Sequence, residues 1–137
     1  WIASLLPVSP FGQAVVGLAA VIGHMYPLFF EFKGGKGVAT TLGVLIGLNP
    51  MLGVITVLTW LIVTFFGRYS SLASLSAITI APFVSLLAFH QEEAFAPLLG
   101  IAALVIYQHM GNIQRLIDGT ESKLALNIDL SKFSKKK

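Results

Sequence analysis

Residues 37–67 read GVATTLGVLIGLNPMLGVITVLTWLIVTFFG, without a single charge. Whether this stretch crosses a membrane once or twice decides the fold. Asn49-Pro50 lies inside it. Proline cannot continue a helix and disfavours the helical conformation at the residue before it. The stretch therefore divides into a short helix from Gly37 to Leu48 and a full one from Met51 to Phe66. Charge gives the same answer, because loops rich in Lys and Arg stay on the cytoplasmic side. As one crossing, Lys33 and Lys36 would face away from Arg68 and from the tail ending Lys135-Lys136-Lys137. As two, Lys33, Lys36, Arg68, Arg115 and the tail share one side, and Glu92 and Glu93 fall on the other. The short helix would reach only about 18 Å, so it needs tilt, thinning of the bilayer or shielding by protein.

Composition supports a membrane setting. The chain has 137 residues, of which 55% are hydrophobic and 11% charged, with mean hydropathy +0.83. Soluble domains carry about 25% charged residues, so this chain has too little charge to cover a water-facing surface. Further apolar stretches run from Phe11 to Phe30, from Ser70 to Phe89 and from Phe95 to Met110. Each approaches the length that a crossing requires. The expected fold is all-α, a polytopic membrane helical bundle of about five transmembrane helices, one of them short. Residues 1–121 would form the bundle and 122–137 a basic cytoplasmic tail. There is no cysteine, which excludes disulfides and thiol chemistry. No thiolate metal site is therefore expected, and no cofactor or nucleic-acid partner. The chain opens on Trp1 rather than Met, as expected of an internal piece of something longer.

Two polar clusters stand out. The first, GHMYPLFFEFKGGKGVATTLG, occupies Gly23 to Gly43. Its loop, Lys33-Gly34-Gly35-Lys36-Gly37, opens straight into a helix containing Thr40. Glycine removes side-chain crowding. A helix N-terminus offers unpaired N–H groups and partial positive charge, and two lysines add full charge. Together these make an anion site, with phosphate the natural anion. The loop is not an ATP-binding P-loop, because Phe30 stands where that pattern needs its first glycine and Gly37 follows the lysine. An ordinary positive-inside loop is the plainer reading. His24 is either a packed or interfacial histidine or part of the site. Tyr26, Phe29, Phe30 and Phe32 form an aromatic belt or line an acyl channel.

The second cluster is YQHMGNIQRLIDGTES, from Tyr107 to Ser122. On a helix His109 and Asn112 share a face, and Arg115 extends it by a turn. Histidine can donate or shuttle a proton, and arginine can grip a phosphate. The plainer reading is a helix end with snorkelling polar groups. Gly119 would end the helix, and Glu121 beyond it is expected to act as a structural ion-pair partner near Arg115 and Lys123. Both clusters map to the same membrane face, which favours one shared site. Ser70, Ala73, Ser74 and Ala77 have small-xxx-small spacing and are read as close helix packing.

These stretches resemble the acyl-phosphate:glycerol-3-phosphate acyltransferases of bacteria, the PlsY type. That family's second motif is matched at Gly23, His24, Pro27, Phe29, Phe32, Lys33, Gly34, Gly35, Lys36, Gly37, Val38, Ala39 and Thr40. Its third motif is matched at His109, Asn112, Ile113, Arg115, Leu116, Gly119 and Glu121. RYSSLAS, from Arg68 to Ser74, is also similar. Two departures stand against this. Gln108, Met110 and Gly111 surround His109 where the family usually has basic residues. The family's first motif, which lies upstream between its first two spans, is absent, so the chain resembles an N-terminally truncated enzyme.

The resemblance implies transfer of a fatty acyl group from acyl phosphate to glycerol 3-phosphate, giving lysophosphatidic acid and phosphate. Lys33, Gly34, Gly35, Lys36, Gly37, Thr40 and Arg115 would hold phosphate, His109 and Asn112 would be catalytic, and His24 and Glu121 would support them. Partners would be the two substrates, membrane lipid and, functionally, the soluble enzyme that makes acyl phosphate. The setting would be the bacterial inner membrane, with the active face and C-terminus cytoplasmic. Against this stand a transporter-like bundle with an anion site, and an inactive remnant that lacks the upstream motif.

Overall fold

The protein is described from a computed structural model, which covers residues 7–27 and 34–125. Its helices are α1 (Pro10–Met25), α2 (Val38–Leu48), α3 (Pro50–Gly67), α4 (Ser70–Phe89), α5 (Glu92–Gln108) and α6 (Met110–Ile117). No strand occurs among the described residues.

Local chemistry sets the boundaries. Ser9 caps α1, its hydroxyl accepting from the Gly12 N–H at 3.2 Å, and Pro10 takes the first helical position. The α1 helix stops at Met25 and not at Phe30 as expected. Pro27 drives Tyr26 out of the helical region, to φ −127° and ψ 63°. The expected break at Asn49-Pro50 is present. Asn49 is extended (φ −157°, ψ 113°), its N–H closes α2 on the Leu45 carbonyl, and its side-chain oxygen accepts from the Met51 N–H at 2.9 Å. One residue thus ends α2 and starts α3. The α5 helix begins three residues before the expected Phe95, where Glu92 and Glu93 place negative charge in the first turn. It also ends earlier than Met110, because the chain bends by 61° into a sixth helix that the sequence reading did not separate.

Each of the five longer helices packs on its sequence neighbours, and α5 closes the ring onto α1, while α2 also leans on α4. The Phe11 N–H lies 3.4 Å from a Glu93 carboxylate oxygen, so α1 and α5 start at the same end. The core is built from Ala14, Val21 and Met25 of α1, Leu45, Leu52, the Ala73/Ala77/Ala81 stripe of α4, and Leu98, Ile101 and Val105 of α5. So many small residues let helix backbones approach closely, and the Ala73/Ala77 spacing is used in that way.

The outer surface is the inverse of a soluble protein's. Phe66 is 80% exposed, Leu87 74% and Phe65 67%, with Leu61, Ile62 and Phe83 also outward. Such a surface is satisfied by lipid. The α3 and α4 helices are long and apolar enough to cross a bilayer, as is the bent α5–α6 pair taken as one span. The α1 and α2 helices, at 16 and 11 residues, are shorter.

Candidate functional site

Helix alternation brings the start of α2, the start of α4 and the end of α5 to one end of the bundle. A cavity of about 630 Å³ opens there. Its apolar wall is Val38, Ala39 and Leu42 of α2 with Val57, Trp60 and Leu61 of α3. The polar wall carries Lys36, Ser70, Ser71, Ser74, His109, Asn112, Glu121 and Lys123. The first turns of α2 and α4 both border the cavity, so two sets of N–H groups without intrahelical partners stand at its edge.

His109 sits at the α5–α6 bend, with φ −100° and ψ 7°, and is 2% exposed. Its N–H reaches the Val105 and Ile106 carbonyls at 3.1 and 3.0 Å, and its ring Nδ1 lies 2.8 Å from the Val105 carbonyl. A carbonyl only accepts, so Nδ1 carries the hydrogen. In the neutral ring Nε2 is then a bare acceptor. The expected single helix through His109, Asn112 and Arg115 is therefore replaced by a bend. The bend still delivers His109 and Asn112 to one cavity.

A hydrogen-bonded chain runs across the polar wall. Lys36 Nζ donates to Asn112 Oδ1 at 2.6 Å, and Asn112 Nδ2 donates to Glu121 Oε1 at 2.7 Å. Ser71 Oγ donates to the same Glu121 oxygen at 2.6 Å, and Arg115 Nε donates to Oε2 at 2.7 Å. The amide of Asn112 is thus fixed in one orientation by a cation on one side and a carboxylate on the other. The Ser71 hydroxyl foremost, then Asn112 and Arg115, hold the Glu121 carboxyl down at about 2. Glu121 is ionised at neutral pH and ion-paired to Arg115.

Glu121 can face α4 because of how α6 ends. Gly119 adopts φ +69°, the Thr120 N–H bonds the Arg115 carbonyl at 2.8 Å, and the Gly119 N–H bonds that of Leu116 at 3.3 Å. This glycine-ended cap turns the chain back over the bundle. Beyond it Leu124 is tied to Arg68 at the end of α3. The Leu124 N–H donates to the Arg68 carbonyl at 2.7 Å, and the Arg68 guanidinium donates to the Leu124 carbonyl at 3.3 and 3.1 Å. Residues 121–124 therefore form one wall of the cavity.

The glycine loop has a packing reason of its own. Gly37 is buried with φ +78°, a conformation that side chains strain, and a Cβ there would strike Met25. A Cβ on Gly34 would overlap the backbone carbonyls of His24 and Met25, and one on Gly35 would meet the His24 ring. Beside the expected room for phosphate at the backbone, these glycines make room for the end of α1, and His24 serves as the surface on which the loop is laid. Thr40 is half-buried on α2 outside the cavity lining. The Arg115 side chain also lies outside that lining, half exposed and bonded to Glu121. Lys33 falls outside the described residues.

Trp60, Ser70, Ser71, Ser74 and Lys123 are in the site without having been assigned to it. Trp60 Nε1 donates to Ser74 Oγ at 3.1 Å. The serine-rich start of α4 was a usable signal, since polar groups at the mouth of a crossing helix need partners. Lys123 gave none, because it is placed by a chain reversal.

A lipid-facing helical bundle with a cavity at one end, polar on one wall and apolar on the other, defines an integral membrane protein. The family model described as "Glycerol-3-phosphate acyltransferase" matches residues 1–119. The chain belongs to that glycerol-3-phosphate acyltransferase family. It is 51% identical over 123 residues to the glycerol-3-phosphate acyltransferase of Legionella pneumophila strain Corby, covering 90% of this chain and 44% of the relative. Against that of Burkholderia lata it is 46% identical over 127 residues, covering 90% and 59%. The chain thus spans about half the length of these curated relatives. A crystal structure of PlsY, an integral membrane glycerol 3-phosphate acyltransferase, in its glycerol 3-phosphate form superposes with a TM-score of 0.84 at 36% identity. The match covers 98% of this chain and 65% of that one. The lysophosphatidic acid form gives 0.84 at 39% identity, covering 90% and 63%.

Proposed function

We propose that this chain forms the catalytic end of a membrane acyltransferase that moves a fatty acyl group from acyl phosphate to glycerol 3-phosphate. The carrying observation is that Lys36, before α2, and His109 and Asn112, at the α5–α6 bend, converge on one cavity whose other wall is apolar. Phosphate is held by Lys36 and the first turn of α2, and the acyl tail runs along Leu42, Val57 and Leu61 toward lipid. His109 Nε2 accepts a hydrogen bond from the glycerol 1-hydroxyl and orients it. The hydroxyl oxygen attacks the acyl carbon, the bond from that carbon to the phosphate oxygen breaks, and the proton leaves with inorganic phosphate. The donor is already activated, so positioning and charge stabilisation carry the rate. Glu121 is a positioning residue that sets Asn112. The cavity end and the C-terminus face the cytoplasm of a bacterial inner membrane, with all five longer helices crossing, and a soluble enzyme supplies the acyl phosphate.

The test reconstitutes these 137 residues in lipid with acyl phosphate and labelled glycerol 3-phosphate. Alone they are expected to bind glycerol 3-phosphate without turnover, because contacts acting as one constellation are strongly non-additive. Supplying the first part of the Legionella relative on a second chain is expected to restore formation of lysophosphatidic acid and phosphate. Uptake of solute into vesicles with no product would contradict the reading, and so would turnover by the 137 residues alone, which would overturn the division of labour.

A further inference from the structure

We propose that Lys123 is a second phosphate-binding cation of the cavity, complementary to Lys36. The inference rests on the phosphate reading of that cavity and extends it to a residue that neither motif contains.

Charge is the first argument. Among the described residues three formally charged side chains line the cavity: Lys36, Glu121 and Lys123. Lys36 and Glu121 cancel. Arg115 lies outside the lining with its Nε given to Glu121. Among the described residues Lys123 is therefore what leaves the lining net positive. A cavity that holds phosphate monoesters away from bulk water needs that surplus, because the attraction of a charge pair grows as the surrounding dielectric falls.

Placement is the second argument. A lysine in a free tail would lose much of its phosphate affinity to the entropy of ordering chain and side chain. Here the segment is pinned on both sides of Lys123. Two residues earlier Glu121 is bonded by Ser71, Asn112 and Arg115, and one residue later Leu124 is bonded three times to Arg68. The ammonium itself lies 5.6 Å from the centroid of the Tyr69 ring, within cation–π range. Backbone and side chain are thus ordered before any ligand arrives.

The chemistry recognised is a phosphate monoester dianion, carried in water by glycerol 3-phosphate or in lipid by the acyl phosphate. Binding is measured with the 137-residue protein in lipid nanodiscs, using labelled glycerol 3-phosphate in one arm and a non-hydrolysable acyl phosphonate in the other. Lys123→Gln is expected to weaken binding about tenfold in at least one arm. The arm that moves identifies which phosphate Lys123 meets. Lys123→Arg is expected to restore most of the loss, and Tyr69→Leu to weaken binding in the same arm by less. Rescue by arginine separates a charge contact from a structural role. Unchanged binding by Lys123→Gln in both arms, with Lys36→Gln defective, would overturn the proposal and leave the cavity reading standing. Normal binding by both variants would remove the phosphate reading, and Lys123 with it.

Discussion

Two helix breaks organise this molecule, one at each end, and they are built differently. At Asn49 the chain turns with local chemistry alone. The residue closes α2 through its own N–H, caps α3 through its own side chain, and is followed by proline. Nothing distant is needed, and the neighbouring surface, around Ile46, Val54 and Leu58, is apolar. At His109 no proline or extended residue breaks the helix. The imidazole bonds back to Val105, the chain bends by 61°, and the following turn is held by Lys36 from far away in sequence. The first break is a turn that joins two crossings. The second is a bend that faces a cavity with a buried histidine. A helix interrupted by side-chain bonds to remote partners, rather than by caps, is the mark of a working site.

That contrast sets the order of expected effects. The largest belongs to His109→Ala in the two-chain transfer assay. Turnover is expected to fall by about two to three orders of magnitude, the range for loss of a group positioned on the reacting hydroxyl, while thermal stability changes little and glycerol 3-phosphate binding weakens far less than turnover. A matching collapse of the folded fraction would make the bend structural after all. Next comes Lys36→Gln. It removes one cation of the cavity and the donor to Asn112, so glycerol 3-phosphate is expected to bind about a hundredfold more weakly, the upper end for one charged contact.

Glu121 sharpens the comparison through pH. Its folded-state pKa, about 2, lies below its ordinary 4.5. The stabilisation it gives is therefore complete above about 4.5 and is lost as pH falls toward 2. Unfolding in detergent is expected to show a stability gap between the parent and Glu121→Gln that is constant at neutral pH and closes across that acid window. A gap independent of pH would mean that the carboxylate charge does not hold the α6 segment. The smallest effect belongs to the other end. Asn49→Ala loses one helix cap, about 1 kcal/mol of stability, and is expected to leave binding and turnover unaltered.

The same contrast explains what could be read in advance. The turn at Asn49-Pro50, the start of α4 at Ser70 and the end of α6 near Gly119 are local signals, and the structure follows them. Lys36, His109 and Asn112 were legible as polar residues in an apolar chain that has to satisfy them somewhere. Two boundaries moved because a stronger local rule outweighed the apolar run. Pro27 ended α1 early, and the acidic pair drew α5 out to Glu92. What stayed hidden was long-range. The pairing of Glu121 with Arg115 was expected, but that it leaves Arg115 outside the cavity lining, and the seating of Lys123, depend on how the cap at Gly119 turns the chain back toward Ser71 and Arg68. The glycines of the loop were visible, but the end of α1 that they pack against was not.

The central claim is that the His109 end, and not the Asn49 end, is built to hold phosphate. Equilibrium binding of labelled glycerol 3-phosphate to this protein in lipid nanodiscs tests it most directly, with Lys36→Gln and Asn49→Ala alongside the parent. Saturable binding that inorganic phosphate displaces, about a hundredfold weaker in Lys36→Gln and unchanged in Asn49→Ala, is the result expected. No saturable binding by the parent, or equal loss in the two variants, would contradict the account.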